Sequence, residues 1–481
     1  MSVQTERQRI GIGLRQEYLS FPEVLAQSIA NIAPTASPAF VIPLVYASAG
    51  NGTWLAYLIA TIGLILISFN INEFARRSAS VGSLYSYITR GLGPWVGVLS
   101  GWTLVIAYLF TATAVLLGFA SYGNTILGIS TLGFTVFLGA IAAGIAWWVA
   151  YKDIKLSANL MLGIELVAAG LVLLLALIVL FQKGFQVDVG QFALEDVSAE
   201  GLRLGLVLAT FSFVGFESAT SLGDEAKNPL RSIPRAVLFS VIIPGLFFIL
   251  LSYTEVLGFR SLGISLNESD APLAALADQA GISALGLLIS IGAAISFFAC
   301  VLASINAGAR ILFTLSRHGV LHASVGSAHT TNATPHVAVT LISILTFLIP
   351  LGLLVAGISI TDGYAYLGTI ATFGFLLVYI LVAIAAPVYL YRLGQLQTRH
   401  VVISVIAVLF MLVPIAGSLY PIPPPPFNLL PYLFLLLLLL GAAWLAVLWQ
   451  RSPQVIDEIG QDLGTVGSQF GSTPHDQSSS V

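Results

Sequence analysis

Two glutamates stand where a charge is hardest to keep. Glu165 lies in the apolar run LSANLMLGIELVAAGLV, and Glu217 lies in TFSFVGFESATSLGDEAKNP, from Thr210 to Pro229. An ionisable group at membrane depth is costly and is a functional candidate for that reason. Beside Glu217 stands Gly215, a residue that tolerates backbone angles closed to others. A third stretch, SIANIAPTASPAF from Ser28 to Phe40, sets Pro34 and Pro38 four residues apart. Proline removes a backbone donor and clashes with the preceding turn, so the pair should unwind an apolar helix. The chemistry on offer is capture by main chain. A half-helix that begins at a break presents free N–H groups and a positive dipole end to a carboxylate, and one that stops there presents free carbonyls to an ammonium. In the first break the new start falls near Ala36 to Phe40, where Pro38 is acceptable in a first helical turn. In the second, the carbonyls of Phe213 to Gly215 would face an amine, with Phe216 as an apolar wall.

Each of these residues has a plainer reading. The proline pair could be a packed kink, and Glu217 a structural group bonding freed backbone donors. Phe216 could be a core or lipid-facing ring, one of 28 phenylalanines. Glu165 is either a proton relay, since a carboxyl removed from water holds its proton more tightly, or a tie between helices.

The elements that position these residues follow from composition. The chain has 57% hydrophobic and 9% charged residues, with a mean hydropathy of +0.95. A soluble domain carries about 25% charged residues, so lipid must be the solvent for most of this surface. Twelve apolar runs can be marked, at about 23–49, 54–75, 95–122, 130–150, 156–182, 202–223, 234–257, 283–316, 336–357, 363–391, 400–420 and 428–450. A spanning helix needs about 20 such residues. With both termini cytoplasmic, this map puts sixteen of the nineteen Lys and Arg residues inside and only Lys183, Arg203 and Arg260 outside. That asymmetry is what the positive-inside rule demands. The polar segment 1–22 reads as a cytoplasmic lead into a retained first helix. The Ser-rich stretch 451–481 reads as a disordered cytoplasmic tail. Segment 258–282, with Glu268, Asp270 and Asp278, is expected to form a short helix over the outer face, and Pro421 to Pro426 a stiff connector.

The interrupted runs are the first and the sixth. They correspond if runs 1–5 (about 23–182) and 6–10 (about 202–391) are two repeats, with 400–450 supplying two extra helices. An odd number of crossings per repeat makes the second repeat inverted, an arrangement associated with secondary transporters that bind substrate at the breaks. The expected fold is therefore an all-α polytopic membrane protein of twelve transmembrane helices, a five-plus-five inverted repeat (LeuT-like) with helices 1 and 6 broken.

Several stretches then resemble the amino acid–polyamine–organocation permeases. They are EFARRSASVGSLYSYITRGLGPWVGVLSGW (Glu73 to Trp102), FSFVGFESATSLGDEAKNPLRSIPRAV (Phe211 to Val237), NAGARILFTLSRHGVLHASVGSAHTTNATPHVAV (Asn306 to Val339) and LYPIPPPPFNLLPYLF. The likeness spans nearly all of 20–450. It implies alternating access around a site between helices 1, 3, 6, 8 and 10. It carries Gly215, Phe216 and Glu217, and the backbone around Ala33, Thr35, Ala36 and Ser37, into the site or its support. Many members have a Gly-Ser-Gly-like break where this chain has Pro34-Thr-Ala-Ser-Pro38. Some proton-driven members carry a lysine in helix 5, where this chain has Glu165.

Weaker signals bound the rest. Ser296 and Ser304 could serve a sodium ion, although small polar residues also help transmembrane helices pack. Asp224 and Glu225, with Arg231 and Arg235, could form a cytoplasmic gate of charge pairs, or be ordinary loop charges. Tyr108, Tyr364, Tyr366 and Tyr379 read as interface or packing aromatics. The four histidines His318, His322, His329 and His336 match no metal spacing, and Cys300 is the one cysteine. No catalytic cluster, cofactor motif or ATP-binding P-loop is present, and a net charge of -3 points to no nucleic acid. The expected function is secondary active transport of amino acids across the cell membrane, coupled to H+, less readily to Na+, or run as exchange. A polyamine or cationic amine carrier and a non-transporting amino-acid sensor are the alternatives.

Overall fold

The computed structural model describes residues 13–269, 271–455 and 458–459. Arg7, Arg9, Asp270 and most of the expected tail lie outside the described residues. Among the described residues sixteen α-helices are named, in chain order: α1 (Phe21–Ile32), α2 (Ile42–Ala49), α3 (Thr53–Ala75), α4 (Ser83–Leu92), α5 (Pro94–Leu127), α6 (Leu132–Lys152), α7 (Ile154–Gln182), α8 (Val189–Phe192), α9 (Ala199–Phe211), α10 (Pro229–Phe259), α11 (Pro272–Gln279), α12 (Ser283–Arg317), α13 (His336–Val355), α14 (Ile360–Arg392), α15 (Thr398–Leu419) and α16 (Leu430–Arg451). No strand is named among the described residues.

Among the described residues, ten stretches are long and apolar enough to cross a membrane. The first, Phe21–Ala75, is 55 residues long and contains α1, α2 and α3. The sixth apolar run is not among them. Its helix α9 has only 13 residues, about 20 Å at 1.5 Å per residue, short of a hydrocarbon core of about 30 Å. Large apolar side chains are exposed along α6, α7, α15 and α16, among them Ile145, Leu166, Leu409 and Leu439. In water such a surface would drive aggregation; in lipid it is the expected outer wall. The protein is thus a multi-pass helical membrane protein.

The helix ends obey local rules. Ser20 and Glu23 form a capping box at α1, the Ser20 N–H and hydroxyl both donating to Glu23 Oε2 at 2.6 and 2.8 Å. Asp153 caps α7 by accepting from the Lys155 and Leu156 amides at 2.7 and 3.1 Å. The short buried helix α4, which the twelve runs pass over, precedes α5, and the turn at Gly93 adopts φ +91°. At ten residues it is too short for a crossing signal.

The core is built on α5, which packs most extensively against α12 and α14. Small residues let them approach. A Cβ on Gly374 of α14 would sit 2.9 Å from the Ala107 Cβ of α5. The two interrupted stretches, α1–α2 and α9 with the 3-10 turn Ser218–Leu222, lie against this core. Segment 258–282 does contain a short helix, α11.

Candidate functional site

The first break opens at Ala33, which turns left-handed at φ 51° and ψ 65° and bonds back to the Ala30 carbonyl at 3.1 Å. Pro34 follows and has no amide to continue the ladder. The chain resumes through the Ala36 and Ser37 amides, both on Ala33 O, at 3.0 and 3.2 Å. A wide π turn, Ser37–Val41, then leads into α2, with Pro38 in its first positions. Ala33, Thr35, Ala36 and Ser37 are all buried, and Thr35 Oγ1 has no partner.

The second break begins after Phe211. Non-helical turns run from Ser212 to Glu217, with Gly215 at φ +85°. A Cβ added there would fall 1.5 Å from Asn31 Nδ2, so glycine is required by both conformation and space. The clash also shows what the second break rests on, the last turn of α1. Ser28 Oγ accepts from the Ala219 amide at 2.8 Å, and Ser218 Oγ donates to Gln27 O at 3.1 Å. From α12, Ser304 Oγ donates to Asn31 Oδ1 at 2.7 Å and Cys300 Sγ to Asn31 O at 3.1 Å. Asn31 Nδ2 is left without a partner.

Glu217 is fully enclosed and held by two rings. Tyr108 of α5 donates to Oε1 at 2.6 Å, and Tyr379 of α14 donates to Oε2 at 2.5 Å. The Tyr379 hydroxyl also accepts from the Gly215 amide at 3.1 Å. Glu217 therefore reaches this freed backbone donor through a tyrosine. Phe216 packs on the Tyr379 ring at 5.2 Å. Phe213 turns its ring the other way, onto Phe248 and Tyr57 at 5.2 and 6.4 Å. The Phe213 and Gly215 carbonyls each accept a local bond, from the Phe216 and Ser218 amides at 3.1 and 2.9 Å. Tyr108 and Tyr379, read above as packing aromatics, thus hold the second break through Glu217. Their only sequence signal was a hydroxyl inside an apolar run.

Glu165 lies apart from the breaks, on α7, where Ser296 donates to both its oxygens at 2.8 and 3.1 Å. Ser296, Cys300 and Ser304 are four residues apart, so they share one face of α12. That face runs from Glu165 to Asn31. A third carboxylate went unnoticed in the sequence: Glu255 on α10, buried, with neither oxygen partnered. Its place near the end of run 234–257 made it look like a loop charge. No group of three or more His, Cys, Asp or Glu is placed to hold a metal among the described residues.

The chain matches the amino acid permease family across residues 23–422. It belongs to that family. The branched-chain amino acid permease BcaP of Bacillus subtilis is 23% identical over 330 residues, covering 63% of this chain and 69% of the relative. The methylthioribose transporter of the same organism is 27% identical over 350 residues, 69% and 72% of the two chains. The low-affinity putrescine importer PlaP of Escherichia coli is 26% identical over 307 residues, 61% and 66%. These are transporters, and a permease rather than an enzyme is what the chain is.

Both flanks of the permease's breaks are shut. On the side of the N-terminus, Arg310 of α12 grips Glu225 with Nε at 2.6 Å and Nη2 at 2.9 Å, both residues at most 1% exposed. Arg310 Nη1 donates to Asn306 O at 3.1 Å. The Tyr18 and Leu19 amides donate to Glu225 O, both at 2.8 Å, and the Lys227 amide to Leu19 O at 2.7 Å. Outside this seal Arg15 pairs with Asp153, and Lys155 with Glu23. The gate foreseen from Arg231 and Arg235 is thereby corrected: Glu225 pairs with Arg310, while both of those arginines are exposed. A bidentate fork can satisfy a buried carboxylate from a facing helix, which spacing along one helix cannot reveal. Burial, with Glu225 beside it, pushes the Asp224 carboxyl up to about 6.

On the opposite side the closure is aromatic. Phe40 and Phe297 meet Tyr364 at 4.8 and 6.1 Å, and Phe211 meets it at 6.4 Å. The Tyr122 hydroxyl donates to Ala39 O at 3.0 Å, pinning the π turn. Alongside lies an apolar cavity of about 270 Å³ lined by Val41, Leu208, Phe211, Tyr364 and Phe373.

Proposed function

We propose that this permease is a secondary active transporter that carries amino acids across the cell membrane by alternating access. The observation that carries the reading is the contact of the two breaks, where Gly215 abuts Asn31 while Thr35 Oγ1 and Asn31 Nδ2 stay buried and unpartnered. Buried polar atoms without partners are rare and want a ligand or water. Substrate would sit against the backbone of Ala33 to Ser37 and Phe213 to Glu217, with its carboxylate toward the start of the π turn.

The same reading counts twelve crossings. The 55-residue stretch supplies two, and α9 with its 3-10 turn supplies the sixth. Repeats of about 23–182 and 202–391 then stand inverted, helices 400–450 are additions, and both termini are cytoplasmic. The Glu225–Arg310 seal becomes the inner gate and the Tyr364 layer the outer one. Coupling runs through H+ on Glu165, which a single hydroxyl holds. Sodium is the weaker choice, because small polar residues commonly serve packing between helices, and Ser296 and Ser304 tie α12 to α7 and α1 through Glu165 and Asn31. A polyamine or cationic carrier is the second reading, favoured by the likeness to a putrescine importer.

Purified protein in liposomes, offered labelled leucine, lysine and putrescine with and without a pH gradient, tests this. Leucine uptake driven by external acid is the expected result. Putrescine uptake alone would select the second reading. Binding without flux of any compound would make the protein a sensor and overturn transport.

A further inference from the structure

Among the described residues, Glu255 is the one buried carboxylate that the reading above leaves idle. It is 1% exposed, and neither oxygen has a hydrogen-bond partner. An ionised carboxylate cannot persist in such a place, and even a neutral carboxyl there forfeits the hydrogen bonds it would make in water. An apolar side chain of like size would serve the packing better. The group therefore asks for a role that uses its proton.

The surroundings narrow that role. α10 packs against α1, α3, α7, α11, the π turn, the 3-10 turn Ser218–Leu222 and the short turn Leu266–Glu268. The ionisable groups on those elements are mostly committed elsewhere. Glu23 is held by Ser20 and Lys155, Glu73 by Arg77, and Glu165 by Ser296. Glu268 and Asp278 are exposed. On α10 itself, Arg260 is taken by Asp188 and Asn51. What remains is Tyr57 of α3, whose ring packs at 5.4 Å on Phe248 of α10, the helix that carries Glu255, and, from α5, Tyr122, whose hydroxyl the Glu255 charge reaches. Each of these hydroxyls is tied to one of the two breaks. Tyr122 donates to Ala39 O in the π turn, and Tyr57 shares a bond of 3.0 Å with Ser212 at the start of the second break.

We propose that Glu255 is a second proton-carrying carboxyl, loaded from the side opposite the N-terminus, whose charge state decides whether Tyr57 and Tyr122 hold the two breaks closed. With its proton in place, Glu255 makes no claim on the tyrosines, and both hydroxyls stay on the breaks. When water enters from that side, the carboxyl O–H breaks and its proton passes to water. The carboxylate left behind draws the Tyr57 and Tyr122 hydroxyls to itself, freeing Ser212 and Ala39 O. Reprotonation reverses the step. The coupling to transport rests on the proposed function; the proton itself does not.

Two arms keep the two apart. Infrared spectra of the protein in lipid bilayers report the carbonyl stretch of protonated carboxyls. Glu255→Gln should remove one such band, Glu255→Asp should retain it, and alkaline titration of the wild type should bleach it. A band unchanged in Glu255→Gln, or one that persists at every pH where the protein stays folded, overturns the proposal. In liposomes with the membrane potential clamped, one coupled proton supports at most about tenfold accumulation per pH unit. Glu255→Gln should therefore cut leucine accumulation driven by one unit about tenfold while leucine exchange persists; Tyr122→Phe should cut it less. Accumulation unchanged in Glu255→Gln overturns the coupling. If the wild type moves none of leucine, lysine and putrescine, the proposed function fails by itself, and the infrared arm still decides whether Glu255 exchanges a proton.

Discussion

On the side of the N-terminus the breaks are closed by a buried ion pair and three backbone hydrogen bonds; on the opposite side they are closed by rings around Tyr364. The two seals answer to different physics. Glu225 and Arg310 have been taken out of water, so their attraction mostly offsets desolvation, and the pair is far more sensitive to losing one partner than to losing both. It also demands one geometry, because a guanidinium fork meets a carboxylate in a plane. The ring layer is non-directional. Aromatic contacts are worth about 0.5–1.5 kcal/mol beyond their area and survive small rotations. A charged seal suits an all-or-none switch, whereas a ring layer suits gradual adjustment to the shape of what lies beneath.

The largest test strikes the charged seal. Arg310→Ala should cost about 3–5 kcal/mol by stranding the Glu225 carboxylate, read as a lowered midpoint of thermal unfolding in detergent. Glu225→Met combined with Arg310→Met should recover most of that loss. A single variant as stable as the wild type would erase the distinction between the seals. Next comes the junction between them. Gly215→Ala must force a side chain into φ +85° and against Asn31, a strain of about 1–2 kcal/mol for the left-handed backbone and about 1–3 more for overpacking. Loss of leucine binding by scintillation proximity is the expected outcome, and normal affinity would move the site away from this break.

Smaller effects sharpen the picture. Tyr379→Phe strands both a Glu217 oxygen and the Gly215 amide, whereas Tyr108→Phe strands one oxygen only. At about 1–3 kcal/mol for each unsatisfied buried group, the first should unfold at the lower temperature. Asp224 adds a pH dependence to the charged side alone. Its carboxyl is raised to about 6 from 3.8, so the folded state binds the proton more tightly. That contribution is complete below about pH 4 and is lost as pH rises through about 6. Asp224→Asn should flatten this part of the stability profile. Tyr364→Phe keeps the ring and should shift stability by less than about 0.5 kcal/mol; a large loss would mean that the ring seal depends on a directed bond.

Much of the fold was legible because lipid simplifies the grammar. Apolar runs must be helices when no water can satisfy their backbone, and their limits agree with the helix ends to within a few residues along most of the chain. Both interruptions were readable for a local reason: Pro34 lacks an amide, and Gly215 lacks a side chain. Glu165 and Glu217 stood out because charge is scarce. Glu255 obeys the same logic and was missed only through its place near a run's end. Arg310, a charge inside run 283–316, bore the same mark without naming its partner, and Tyr108 and Tyr379 bore none. Each acts on a partner more than 80 residues away in the chain, and nothing local says that a tyrosine hydroxyl in an apolar run will find a carboxylate.

The chain by itself determined a multi-pass helical membrane protein, its family and the places where two helices break, because each follows from local backbone chemistry, composition or motif. Only the tertiary structure decided what the breaks rest upon and which groups satisfy the buried charges. Glu217 went to two tyrosines, Glu225 to Arg310, Glu165 to Ser296 and Glu255 to none. Partnership is a property of facing helices, and one-dimensional spacing holds no record of which helix will face which.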